Sequence, residues 1–225
     1  MQRCVAALCP AQGAPATGVH LSPFDGDLAA VACADHSAYV FDLRRADRPL
    51  VQLSGHARAV SYVRWLGPSR LVTASTDASL AVWQLPAAHA DEPTLLGDSA
   101  VLSSPWKRLR GHRNSKNFVG LSVRAEDGLV ACGSEAAACF AYHDSWASPL
   151  AAHTFGALQL PPGLHSPQPA GPAVEQFCSA VCWQPATARL GGAPMLAAAM
   201  SSGELRMLEL QRRPGSAAAR RCMDG

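Results

Sequence analysis

Charge is scarce in this chain. Asp, Glu, Lys and Arg make up only 16% of its 225 residues and the formal net charge is +2, too little to draw in nucleic acid by itself. No run of about 18 apolar residues occurs, so no membrane span is expected. The opening MQRCVAALCPAQG lacks the cleavage context of a secretory signal. The short motifs of common chemistries are absent as well: there is no G-x-S-x-G, Walker Gly-Lys-Ser/Thr, H-E-x-x-H or G-x-G-x-x-G. His20, His153 and His165 have no neighbouring acid or nucleophile that forms a readable triad. Eight cysteines are scattered through the chain, several inside apolar runs, which suits reduced thiols within strands. Cys33-x-x-His36 and Cys178-x-x-x-Cys182 have spacings that could hold a zinc, and a zinc or thiol enzyme built on them is one alternative. Neither pair is answered by a second, so no catalytic residue, metal or cofactor is expected. With 48% hydrophobic and 6% aromatic residues the chain is globular.

What is present is a repeat. The stretch Gly55 to Leu85 opens with Gly-His, alternates apolar and polar residues, reaches Ser-Thr-Asp at 75–77, and places Trp83 six residues after Asp77. Two short strands, a turn acid and a Trp-containing strand after Gly-His read as one propeller blade of the WD-repeat kind. His56, Thr73, Asp77 and Trp83 are spaced to form a buried relay, with Asp77 accepting from the imidazole and Thr73 linking the imidazole to the indole N–H. Such a network is strong only when every member is satisfied. The same turn position recurs at Asp35, Glu135 and Ser202, followed six residues later by Phe41, Ala141 and Leu208. On this reading the third unit keeps His112 and Glu135 but has Ala131 and Ala141 where the relay needs Thr and Trp.

Alternation and turn punctuation place strands near 17–22, 28–34, 37–43 and 49–53, then 59–65, 69–75, 79–85 and 106–110. Further strands are expected near 117–123, 128–133, 137–143 and 150–155, then 178–183, 194–200 and 204–210, with a spare strand at 3–9. The fold class is therefore all-β: a partial WD-repeat propeller of about four blades, an open arc or part of a seven-bladed ring. Residues 1–15 form the spare strand and linker, and 16–210 the propeller, with units 16–53, 54–110, 111–155 and 177–210. Pro/Ala/Ser-rich inserts at 86–105 and 160–176 need no core. Residues 211–225 are a basic tail, read as disordered or as a weak nuclear-import signal.

Five strings, GHARAVSYVRW, LVTASTDASLAVW, GHRNSKNFVGLSV, ACGSE and FCSAVCW, resemble in order the final blades of one plant family. That family comprises the constitutive-photomorphogenesis ubiquitin ligase and its SPA partners (suppressors of phytochrome A signalling). The resemblance covers about 16–210; the SYVR and GLSV spellings and the insert before the third Gly-His lean toward the SPA branch. It implies a non-enzymatic part of a substrate receptor in a cullin-4-type ligase of light signalling, with a nuclear location, alone or with a cytoplasmic one. The implied partners are transcription factors and photoreceptors carrying Val-Pro motifs with acidic flanks, the cullin-4 adaptor, and ligase or SPA subunits. Nucleic acid and membrane are not among them.

Matching positions for peptide binding are His36, Arg58 and Phe118, with Ser115 departing where the ligase has an acid. Phe41-Asp42-Leu43-Arg44 resembles the aromatic-Asp-x-Arg box by which WD proteins dock on the cullin-4 adaptor. A generic scaffold with a decayed peptide pocket is the other alternative.

Overall fold

The computed structural model describes residues 7–8, 10, 13–86, 99–156, 176–188 and 192–211. The sequence dictates short strands broken by polar turns, and four sheets result. The first unit pairs β1 (Ala16–Leu21), β2 (Leu28–Cys33), β3 (Ser37–Asp42) and β4 (Val51–Ser54) in that order. The second contains β5 (Val60–Gly67), β6 (Arg70–Ser75), β7 (Ser79–Gln84) and, beyond an intervening strand β8 (Ala100–Leu102), β9 (Lys107–Leu109). The third is β10 (Leu121–Arg124), β11 (Leu129–Ser134), β12 (Ala138–His143) and β13 (Ala151–Thr154). The fourth has three strands among the described residues, β14 (Cys178–Trp183), β15 (Met195–Met200) and β16 (Leu205–Glu209).

Successive residues of a strand face opposite sides of its sheet, and here each side meets a different neighbour. Ala30 and Ala32 pack with Val63, Trp65, Leu71 and Trp83 between the first two blades, whereas Val31 and Cys33 join Tyr39 and Phe41 on the outer face. Val72, Ala74 and Val82 turn the other way, onto Leu121, Val130 and Tyr142 of the third blade. Ala131, Cys139 and Ala141 then meet Val181, Trp183 and Leu196 of the fourth. The blades stack face to face, as a propeller sector requires. The third and fourth approach so closely that a Cβ on Gly133 would lie 2.1 Å from the Cys178 carbonyl oxygen, which only glycine permits.

Three expectations are corrected. Residues 86–105 are not wholly a loop: β8 lies within them and pairs parallel with β4, giving the first blade a fifth strand. The third blade is also one residue out of the expected register. Its β11–β12 hairpin pairs Ser134 with Ala138, as the second pairs Ser75 with Ser79. The left-handed turn residues Ala137 (φ 50°) and Ala78 (φ 59°) correspond. Glu135 therefore matches Thr76, not Asp77; Cys132 stands at the Thr73 position and Tyr142 at the Trp83 position. The third blade's first strand starts at Leu121, later than the expected 117, because 111–120 is an irregular approach loop. Most of the spare strand expected at 3–9, of 160–176 and of 211–225 lies outside the described residues, and the described 7–8 are not in a strand.

Candidate functional site

In the second blade the four spaced side chains form a continuous hydrogen-bonded chain. The indole N–H of Trp83 donates to Thr73 Oγ1 at 2.8 Å, and Thr73 Oγ1 lies 2.7 Å from His56 Nε2. His56 Nδ1 is 3.0 Å from Asp77 Oδ2. With Nδ1–H donating to the carboxylate, Nε2 accepts the threonine hydroxyl proton and every group is satisfied. Burial alone would raise the Asp77 carboxyl, but the donors on His56, Ser79 and the Ala57 N–H outweigh it and hold it well below the ordinary carboxylate range. The glycine before His56 is needed: a Cβ there would meet the Trp83 ring at 2.9 Å. The third blade uses a different linkage. His112 Nδ1 meets the Tyr142 hydroxyl at 3.1 Å, and burial holds His112 down at about 4.

The β2–β3, β6–β7, β11–β12 and β15–β16 turns share one end of the sector, called here the upper end. Glu135, freed from any relay, organises it. Its carboxylate accepts the N–H groups of Ser115 (3.0 Å), Lys116 (2.7 Å) and Asn117 (2.8 Å), the Ser115 hydroxyl (2.8 Å) and the Asn117 amide (3.2 Å). Burial opposes the charge, yet the donors of Asn117, Lys116 and Ser115 bring the Glu135 pKa down to about 2. The loop so fixed leads into Phe118, 45% exposed, whose ring stands edge-on to Tyr62 with centroids 6.1 Å apart. Arg58 reaches across from the second blade and donates to the Ser115 carbonyl at 3.3 Å. No ion pair neutralises Arg58 among the described residues.

Three of the four expected peptide-binding positions, Arg58, Ser115 and Phe118, thus meet in one cluster. His36 does not join them: it occupies the exposed tip of the β2–β3 turn in the left-handed region (φ 73°) and makes no hydrogen bond or ring contact with any of the three. Tyr62 and Glu135 were missed as site residues. The aromatic neighbour of Phe118 lies 56 positions earlier in the chain, a proximity only blade stacking creates.

The Phe41-Asp42-Leu43-Arg44 box lies at the opposite, lower end. Phe41 is fully buried, and Asp42 grips Arg44 through Nε (2.9 Å) and Nη2 (2.7 Å). Hydrogen bonding by Arg44 outweighs burial and lowers the Asp42 carboxyl; Asp27 approaches the same guanidinium at 3.5 Å. The Arg44 side chain nevertheless projects, 67% exposed. The zinc spacings converge on nothing: a bulge after Cys178 leaves that thiol buried and Cys182 exposed, and His36 stands at the turn tip away from buried Cys33.

No family model matches the chain. It is 36% identical to the E3 ubiquitin-protein ligase COP1 of Pisum sativum over 85% of this chain and 24% of that protein. It is 36% identical to Protein SPA1-RELATED 3 of Arabidopsis thaliana over 80% of this chain and 19% of that one. The WD repeat-containing protein RUP1 of Arabidopsis thaliana is 42% identical over 63% of the chain and 33% of its own length. The chain thus spans about a fifth to a third of these relatives, with equal identity to the ligase and SPA branches. Among solved structures, the computationally designed Ika4 protein superposes over 94% of this chain and all of its own, with TM-score 0.60 at 13% identity, a likeness of fold alone. The sequence matches, the Gly-His blades and the stacked antiparallel sheets together identify the chain as the C-terminal WD-repeat region of the COP1/SPA family.

Proposed function

We propose that this propeller sector is a non-enzymatic receptor surface that holds Val-Pro peptides with acidic flanks, as part of a cullin-4-type ubiquitin ligase complex acting in light signalling in the nucleus. The observation that carries the reading is the upper-end cluster. Phe118 and Tyr62 offer an apolar step, Arg58 an unneutralised guanidinium beside it, and Glu135 fixes the loop that positions both. An exposed aromatic beside an uncompensated cation suits a short segment that alternates apolar and acidic residues. Arg44, projecting from the lower end and oriented by Asp42, is the proposed contact to the cullin-4 adaptor. The reading is tested by titrating a labelled Val-Pro peptide with acidic flanks into wild type, Phe118→Ala and Arg58→Glu. Saturable binding by wild type that both variants weaken supports it; equal affinities, or no binding by wild type, refute it.

A further inference from the structure

Two of the tryptophans are left in water, on adjoining segments of the second and third blades. Trp106 directly precedes β9 and is 54% exposed; Trp146, in the β12–β13 turn, is 58% exposed. Lys107 joins the two segments: its ammonium sits 4.8 Å from the centroid of the Trp106 ring and donates to the carbonyl of Ser145, the neighbour of Trp146. A main-chain bond from Arg110 N to Ala147 O at 3.2 Å ties the same segments together. His143 packs against Trp146, with ring centroids 5.4 Å apart. The result is an aromatic surface bridging the outer strand of the second blade and the lower turn of the third. Exposed indoles clustered in this way are the side chains that most often dominate a protein interface.

The charged group in contact with an indole is cationic, the Lys107 ammonium. Neither Lys107 nor Arg110 is in an ion pair among the described residues. One nearby carboxylate, Asp144, is 4% exposed and already taken by Arg70 and by the Ser145 hydroxyl at 3.1 Å. The outward face is therefore apolar and cationic. We propose that the Trp106–Lys107–Trp146 patch docks an acidic linear segment of a partner protein, with its apolar side chains against the indoles and its carboxylates on Lys107 and Arg110. Two cations fall short of the roughly 4–8 basic residues that hold a protein on an anionic membrane. A second copy of the chain meeting this patch across a two-fold axis would set like charges against each other. The patch lies at the opposite end from Arg58 and Phe118, so it stands independently of the function proposed above.

The test uses the full chain and a panel of fluorescein-labelled 12-residue Asp/Glu-rich peptides with central Phe and Leu, followed by anisotropy. At least one peptide is expected to bind saturably. Affinity should fall at least about tenfold in Trp106→Ala/Trp146→Ala and in Lys107→Glu, and return in Trp106→Phe/Trp146→Phe. Thermal melts of each variant establish that it is folded. The proposal is overturned if no acidic peptide binds wild type, if the double alanine variant binds equally, or if matched peptides with Lys in place of Asp and Glu bind as well. Wild-type capture by phosphatidylserine vesicles that the double variant loses would assign the patch to membranes instead, and a concentration-dependent dimer lost in that variant would assign it to self-association; either result also overturns it.

Discussion

The Glu135 carboxylate takes both donors of Ser115, the main-chain N–H at 3.0 Å and the hydroxyl at 2.8 Å, through one oxygen. Its other oxygen takes the N–H groups of Lys116 and Asn117. One side chain thus folds the loop that presents Phe118. Because its folded pKa, about 2, lies below the ordinary value of 4.5, the released loop binds more protons than the folded one between those values. Its contribution is full above pH 4.5 and is lost as pH falls through about 2. The amide resonances of 115–117 are expected to shift and exchange faster across that window in wild type. In Glu135→Gln the loop should be loosened already at neutral pH and show no such titration. Resonances of wild type that ignore pH in this range would contradict the assignment.

Thr73 carries two hydrogen bonds on one oxygen, to the Trp83 indole and to His56. Thr73→Val keeps the shape and strands both partners in a buried site. Leaving a buried polar group unpaired costs about 1–3 kcal/mol, so a loss of about 3 kcal/mol is expected in urea unfolding, while Thr73→Ser should recover most of it. Equal losses for the two variants would show that the hydroxyl is unimportant.

In the third blade Tyr142 is the hydrogen-bond partner of His112, whose Nε2 has none among the described residues. Tyr142→Phe should cost about 1 kcal/mol. Since Cys132 and Tyr142 stand at the Thr73 and Trp83 positions, Cys132→Thr and Tyr142→Trp together rebuild the Trp–Thr–His part of the second blade's linkage, Ala136 standing where the acid Asp77 would be. Their combined effect is expected to be more favourable than the two single effects added, by about 1 kcal/mol in a double-mutant cycle. His112 imposes a further pH dependence: its folded pKa of about 4 lies below the ordinary 6.5, so the unfolded chain takes up the proton first and stability drops as pH falls from 6.5 through 4. His112→Gln should remove that part of the profile.

The second blade is legible in the sequence because its signals agree: glycine where Trp83 presses close, a β-branched hydroxyl residue, a turn acid and an indole, all at spacings fixed by strand register. The first blade also keeps its register, for Asp35 accepts from Ser37 N at 3.0 Å as Asp77 does from Ser79 N at 3.0 Å. The third misleads because an acid one position early in a three-residue turn imitates the relay acid, while Tyr142 replaces two relay members with one hydroxyl. Strand β8 is hidden for another reason. Three residues, Ala-Val-Leu, pairing parallel at a sheet edge leave no alternation to read. Arg58, Ser115 and Phe118 could be named from resemblance, but Tyr62 and Glu135 could not, since the contacts that recruit them join different blades or strands. Trp106 and Trp146 are opaque for a related reason: sequence marks an isolated tryptophan as apolar, and only the packed sheets show that these two face solvent.

The central claim, that the Arg58–Phe118 cluster holds acidic-flanked peptides, is tested most directly by exchanging charge across it. Affinities are measured by anisotropy for wild type and Arg58→Glu, each against a Val-Pro peptide with Glu flanks and one with Lys flanks. Wild type is expected to prefer the acidic peptide and Arg58→Glu the basic one, at least about tenfold each way at low salt. The same ranking of the two peptides by both proteins would contradict the claim.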